Sequence, residues 1–257
     1  MPQLKGQERL IRVIKDVASG NYSNEILELT GPGYPPEIQE LAEAVGLMMV
    51  KIEAREFHLE QLNETIKTNT LNTVTAVAGA LGARDTYSEG HGERVGLYAK
   101  RLAERLELPD EEVERIHIAG TLHDIGKIGF SDSVFSNEDT NINKEMMLEI
   151  RSHPQWGYDI LKNLEFLGPA LEYVYSHHER LDGQGYPRGL SEPDIPMGAR
   201  ILAVVDCFDA MTTNRPYQKG KTPQEAFAIL DKLAGKSLDP DLVDAFMDEI
   251  ENNGMEE

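Results

Sequence analysis

An all-α protein is the fold class this sequence predicts, and three observations carry the prediction. Apolar residues recur at spacings of three and four along most of the 257 residues, the period of a helix with one buried face. Pro109, Pro169, Pro223 and Pro240 each sit where such a pattern begins, a position at which a missing N–H does no harm. From Val45 to Ile66 the apolar positions follow the seven-residue rhythm of a coiled coil.

Taken in order, residues 7 to 18 predict a short helix on Leu10, Ile14 and Val17, with Gly20 as its stop. The stretch Gly31-Pro-Gly-Tyr-Pro-Pro36 holds two Gly and three Pro and cannot continue a helix, so it is a turn or extended connector. A second helix restarts near Glu37. Its seam runs Val45, Met48, Ile52, Leu59, Leu62 and Ile66, with Arg55 and Asn69 as polar insertions, and it predicts a parallel homodimer whose register Asn69 can set.

Beyond Val74 the helical pattern continues. Val95, Tyr98, Leu102 and Leu106 mark one helix, Val113, Ile116 and Gly120 another, and Met146, Ile150, Gly157 and Leu161 a third. Segments ending at His177-His178 and running from Gly198 to Met211 add two more, and 222–234 and 240–250 close the chain. Ile128 to Asn143 carries Ser, Asp and Asn without helical rhythm and suits a lid or a plain surface loop. The acidic tail from Asp248 to Glu257 predicts a solvated end.

Composition narrows the function. Acidic residues outnumber basic ones 45 to 25, and the formal charge of -20 repels long nucleic acid. A small phosphate ester remains accessible if bound divalent ions reverse the field locally. One cysteine, Cys207, precludes an intramolecular disulfide. With no apolar run near the ~18 residues of a membrane span and no signal-peptide core in MPQLKGQERLIR, a reduced cytoplasmic protein without membrane insertion is expected.

The polar outliers on the apolar faces carry the chemistry. His91 lies four residues before Val95, His123 three after Gly120 with Asp124 next to it, His153 three after Ile150, and His177 three after Val174. Asp206 and Asp209 are three apart on the side of Leu202. A single such histidine is ordinarily a core residue with satisfied hydrogen bonds. Repetition changes the reading, because burying this many imidazoles with carboxylates costs several kcal/mol per charged group unless metal ions resolve it. Imidazole and carboxylate ligands without thiolates suit Fe, Mn or Zn.

His123-Asp124-Ile125-Gly126-Lys127 resembles the HD motif of the HD phosphohydrolase superfamily. His178-Glu179-Arg180-Leu181-Asp182-Gly183-Gln184-Gly185-Tyr186-Pro187 resembles the segment that names the HD-GYP subfamily. Arg84-Asp85, Gly90 to Val95, His153-Pro154, and Asp206 through Asp209-Ala210 to Arg215-Pro216-Tyr217 follow in the expected order, over residues 80 to 250. The resemblance implies a helical HD-GYP domain that hydrolyses cyclic di-GMP to pGpG, with onward cleavage to GMP left open. It also leaves open two alternatives, a catalytically weak cyclic-dinucleotide-binding signalling module and a hydrolase of another cyclic dinucleotide.

Carried over by residue, the resemblance implies two divalent ions per chain, Fe or Mn, bridged by Asp124. His91, His123 and Asp206 complete one site and His153, His177 and His178 the other. Two ions about 3.5 to 4 Å apart hold a shared water whose pKa they depress. Lys127 joins Asp124 as catalytic, and Arg215, Asp85, Tyr186 and Lys219 are expected at the substrate. Some members carry a Glu four residues before the first His that recruits a third ion; Tyr87 stands there, and Glu89 is a poor substitute. Gln218 replaces a frequent second cation after Arg215, with Lys219 adjacent, which leaves the choice of nucleotide open.

Residues 1–55 resemble a HAMP signalling module, on Gly20, Glu37 to Ala42 and Met48, with Gly46 where that family usually has Asn. The implied organisation is a HAMP-like module at 1–55, a coiled-coil linker helix at 56–80 and an HD-GYP domain at 81–257. A soluble signalling partner, a ligand or the homodimer itself would then supply the input.

Overall fold

A computed structural model of the chain describes residues 2–84, 90–135, 142–214 and 219–255. Among these residues the structure is helical and contains no β-strand, only isolated bridges at Asp182–Ser191 and Ala234–Leu238. None of the described helices is long and apolar enough to cross a membrane. Two compact units divide at Thr70 and Leu71.

The first unit holds α1 (Pro2–Ala18), the short α2 (Glu25–Glu28) and the first part of α3 (Pro36–Arg84). The prolines place the start of α3 at Pro36, where a missing N–H is harmless. Before it, Gln39 Nε2 donates to the carbonyls of Gly31 and Tyr34 at 3.0 and 2.7 Å, tying down the connector. Leu10, Val13, Val17, Ile26, Leu29, Ile38, Ala42 and Met49 form its core. On the expected seam, Val45 and Ile52 pack against this core, whereas Met48, Leu59, Leu62 and Ile66 are exposed in the single chain.

The second unit takes the end of α3 and then α4 (His91–Arg105), α5 (Asp110–Leu122), α6 (Asp132–Phe135), α7 (Lys144–Leu161), α8 (Ala170–Ser176), α9 (Met197–Thr212), α10 (Pro223–Leu233) and α11 (Pro240–Asn253). Local chemistry sets their ends. Thr222 and Glu225 form a reciprocal cap ahead of Pro223, and the Asp239 carboxylate accepts from the backbone of Asp241 and Leu242. Helices α4 and α5 meet through Gly96 and Gly120, where a Cβ on Gly120 would stand 2.8 Å from the Gly96 Cα. The core runs from Val95, Tyr98 and Leu102 through Ile116 and Leu122 to Leu202, Phe208, Leu230 and Phe246.

Part of the segment expected to lack helical structure is ordered as helix. Ile125–Gly129 is a 3-10 turn and Asp132–Phe135 one helical turn, secured where Ser131 N donates to Glu149 of α7 at 3.0 Å. Residues 136–141 lie outside the described residues.

Candidate metal centre

Five helices contribute to the site, mostly from their ends. His91 opens α4, His123 and Asp124 follow α5, His153 lies inside α7, His177 and His178 follow α8, and Asp206 projects from α9. Backbone carbonyls aim three of these imidazoles. His123 Nδ1 bonds to the Gly120 carbonyl, His153 Nδ1 to that of Ile150 and His177 Nδ1 to that of Val174, each at 2.7 Å and each three residues back. Such carbonyls are free for physical reasons. Helices α5 and α8 end there, leaving terminal carbonyls without helical partners. Within α7, Pro154 has no N–H to give the Ile150 carbonyl, so the His-Pro pair supplies its own acceptor.

A carbonyl only accepts, so Nδ1 carries the proton in all three rings and Nε2 presents a lone pair. His91 donates Nδ1 to Asp209 Oδ2 at 2.7 Å, which turns its Nε2 towards Asp124 and Asp206. The four Nε2 atoms converge. His153 Nε2 and His177 Nε2 stand 3.2 Å apart, lone pair against lone pair. His123 Nε2 is buried with no hydrogen-bond partner among the described residues, and His91 Nε2 faces Asp206 Oδ1 at 3.3 Å and Asp124 Oδ2 at 3.5 Å. These contacts are repulsive unless a proton or a metal ion lies among them, and the donor set fits divalent metal.

Asp124 spans two groups of donors. Its Oδ2 lies 3.3 Å from His123 Nε2, and its Oδ1 lies 3.4 Å from His153 Nε2. His91, His123 and Asp124 form one cluster with donor atoms within 4.8 Å of one another, and His153, His177 and His178 form another. Lys127 Nζ pairs with Asp124 Oδ2 at 2.6 Å. A pocket of about 450 Å³ opens at His91, Asp124 and Lys127 and extends along Leu71, Thr75 and Ala78 of α3.

The local field separates the imidazoles. Burial opposes charge on His91, but Asp124, Asp206 and Asp209 outweigh it and raise the ring to about 11. Burial, reinforced by the neighbouring rings, lowers His177 and takes His178 down to about 3. His153 is likewise lowered, chiefly by burial. Burial also disfavours charge on Asp124 and Asp206, yet the imidazoles hold both well below the usual carboxylate range, with Lys127 assisting Asp124.

Tyr186 N donates to the His178 carbonyl at 3.1 Å, and the Tyr186 ring lies 4.7 Å from the His178 ring at a tilt of 35°. Gly185 is required beside it, because a Cβ there would stand 2.5 Å from Arg180 N and the Glu179 Cα. Lys219 is exposed, and its charge acts on Glu225 at the start of α10; no contact among the described residues joins it to the His and Asp side chains of the two clusters. Asp85, Tyr87, Glu89, Arg215 and Gln218 lie outside the described residues.

Three residues outside the expected ligand and substrate set support the site. Asp209 accepts from His91 and takes a two-pronged bond from Arg94, with Nε–Oδ1 2.7 Å and Nη2–Oδ2 2.9 Å. Buried Glu179 accepts the backbone N–H of Arg188 at 2.7 Å and of Leu190 at 2.8 Å, pinning the loop after Tyr186. A signal existed in the helical spacing, since Arg94 lies three residues after His91 and Asp209 three after Asp206.

This helical arrangement of inward His and Asp side chains is that of an HD-type domain. The HD domain family matches residues 60–242, and the chain belongs to that family. A cyclic di-GMP phosphodiesterase of Thermotoga maritima is 40% identical over 166 residues, covering 64% of this chain and 45% of the relative. The cyclic di-GMP phosphodiesterase response regulator RpfG of Xanthomonas campestris is 36% identical over 213 residues, covering 82% and 55%. A 3'3'-cGAMP-specific phosphodiesterase 3 of Vibrio cholerae is 28% identical over 228 residues, covering 84% and 49%. The chain thus spans about half the length of these curated relatives. Among solved structures, a cyclic GMP-AMP specific phosphodiesterase of V. cholerae shares the fold with a TM-score of 0.55 at 21% identity, covering 71% of this chain and 49% of that one.

Proposed function

We propose that this chain is an HD-GYP phosphodiesterase that hydrolyses cyclic di-GMP to pGpG at a two-metal centre. The observation that carries the reading is the convergence of four imidazole Nε2 atoms around Asp124, whose two oxygens face separate donor groups. His91, His123 and Asp206 would hold one divalent ion and His153, His177 and His178 the other, with Asp124 shared. Fe or Mn suits these ligands. When bound, the ions would supply an activated water and neutralise charge on the phosphoryl oxygens. Tyr87 in place of a carboxylate supports two ions rather than three.

The chain's own residues then have distinct tasks. Lys127 keeps a positive charge beside Asp124, where a phosphoryl oxygen in the adjoining pocket can share it. Tyr186, held against His178, offers an aromatic surface to a base. Arg215, Asp85 and Lys219 would complete the substrate contacts. In favour of Arg215, the flanking chain is tied to the end of the Asp206 helix: Gly220 N donates to Asn214 Oδ1 at 3.0 Å and Lys221 N to the Met211 carbonyl at 2.9 Å.

The similarity to 3'3'-cGAMP-specific phosphodiesterases, one of them 32% identical over 189 residues, favours a second reading in which a hybrid cyclic dinucleotide is the better substrate. Protein reconstituted anaerobically with Mn or Fe(II) should cleave cyclic di-GMP, and separating products from several cyclic dinucleotides ranks the substrates and tells pGpG from GMP. Absence of turnover on all of them overturns the proposal.

We also propose that 1–55 is a HAMP-like module, 56–80 a linker helix and 81–257 the HD-GYP domain, in a cytoplasmic homodimer open to a soluble signalling partner. The exposed Leu59, Leu62 and Ile66 on the heptad seam support the dimer. Leu62→Glu should convert the full chain to a monomer in sedimentation velocity. Unchanged dimers would remove the seam from the account.

A further inference from the structure

Arg151 stands apart from the other arginines of the second unit. Every other arginine whose side chain is described there holds a carboxylate, including Arg94 on Asp209, Arg180 on Asp182, Arg188 on Glu172 and Arg200 on Asp239. Arg151 is exposed and pairs with no carboxylate among the described residues. Its guanidinium lies over Tyr186, with Cζ 5.6 Å from the ring centroid. That ring lies 4.7 Å from His178 and 6.4 Å from His153, so Arg151 is one aromatic ring removed from the candidate ligands.

An arginine without a carboxylate partner is thus the exception among the described arginines of this unit, on a chain of formal charge -20 where carboxylates are plentiful. Its position also matters. An arginine on an open helix face would be a solvated charge, whereas this one is held at the rim of a site built to draw in a phosphate ester. A guanidinium presents a planar fork that matches two phosphate oxygens, and stacking on an aromatic ring leaves that fork available.

We propose that Arg151 is a substrate-binding residue, pairing with the phosphate of a cyclic dinucleotide that is not held at the metal centre. This rests on the phosphodiesterase reading above. A cyclic dinucleotide carries two phosphodiesters, and only one can occupy the reacting position at a time. The second needs a cation outside the metal cluster, and Arg151 supplies one that no protein carboxylate has claimed among the described residues. The linear product keeps a 5'-phosphate dianion, so product affinity should depend on the same side chain.

The test uses metal-loaded full-length protein as wild type, Arg151→Ala and Arg151→Lys. Steady-state kinetics on cyclic di-GMP and direct binding of pGpG are measured at low and high salt, with metal content and thermal midpoint as controls. For Arg151→Ala, KM and the pGpG Kd should each rise roughly ten- to hundred-fold with kcat within about three-fold, since a charge-assisted hydrogen bond lost from binding alone acts on KM. Their salt dependence should weaken. Arg151→Lys should recover part of both affinities because the charge is retained. Equal KM and Kd in wild type and Arg151→Ala, with wild type active, overturn this inference alone. A wild type that neither binds nor cleaves any cyclic dinucleotide overturns the phosphodiesterase reading and this inference with it.

Discussion

His91 and Asp209 are joined by a 2.7 Å hydrogen bond from ring Nδ1 to Oδ2, across 118 residues of chain. Arg94 grips the same carboxylate with two nitrogens, and Thr213 Oγ1 donates to it at 3.1 Å. His91 and Arg94 hold Asp209 below the usual carboxylate range despite its burial. The charged carboxylate fixes the ring so that Nε2 faces Asp124 and Asp206. Asp209→Asn should therefore weaken metal binding by about 10- to 100-fold, the usual effect of losing a partner behind a metal-ligating imidazole. Metal titration with a chelator competitor checks this, and unchanged affinity would show that the ring is fixed without the charge.

The metal-free protein should lose stability in acid. His153, His177 and His178 have folded-state pKa values below the unfolded value, His178 at about 3. Below about pH 6.5 the unfolded chain takes up protons that the folded chain refuses. Each such group lowers stability by up to about 1.4 kcal/mol per pH unit as pH falls through that window. His91 has the opposite sign: raised to about 11, its contribution is full below about 6.5 and disappears as pH rises towards 11. Three groups against one predict a urea midpoint that falls from pH 6.5 to pH 5. Adding Mn at neutral pH should raise the midpoint, since the ion binds only the folded chain, and acid should reverse the gain.

How far the sequence disclosed this arrangement depends on the scale of the interaction. Helical periodicity exposed the all-α class, because burial of one face repeats over many residues. Motif order links His91, His123, Asp124, His153, His177, His178 and Asp206 in the sequence, and the structure gathers them around Asp124. Contacts that rest on one atom were harder to see. The use of Pro154 to free the Ile150 carbonyl needs the helix to continue through a proline. The Glu179 bonds run to backbone N–H groups, which every non-proline residue carries, so no residue type marks them. The short helix Asp132–Phe135 has too few residues for a period to register.

Glu179 offers a test of the loop that carries Tyr186. Both its oxygens accept backbone N–H groups in a buried setting, so the amide of Glu179→Gln must set an N–H against an N–H. A loss of roughly 1–3 kcal/mol of stability is expected from the unsatisfied buried donor. Proteolysis should also become faster within 183–190, while metal content stays near wild type because Glu179 touches no ligand. Denaturant unfolding and limited proteolysis measure the two effects separately.

Gly126 couples the HD segment to α7 by direct contact. A Cβ there would stand 2.0 Å from the His153 carbonyl oxygen and 2.6 Å from Gly157 N, both backbone atoms that cannot swing aside. Gly126→Ala therefore has to push α7 away from the 3-10 turn that follows Asp124, and it moves His153 away from Asp124 Oδ1, now at 3.4 Å from its Nε2. Overpacking of this kind costs about 1–3 kcal/mol. The sharper consequence falls on the metal centre, since His153 belongs to only one of the two donor clusters. Elemental analysis of the variant should find one ion weakened more than the other, with His91 and His123 retaining theirs. Gly157→Ala is the control: its Cβ meets nothing closer than 3.5 Å, and it should keep both ions. Loss of both ions from Gly126→Ala, or of either from Gly157→Ala, would contradict a displacement confined to His153.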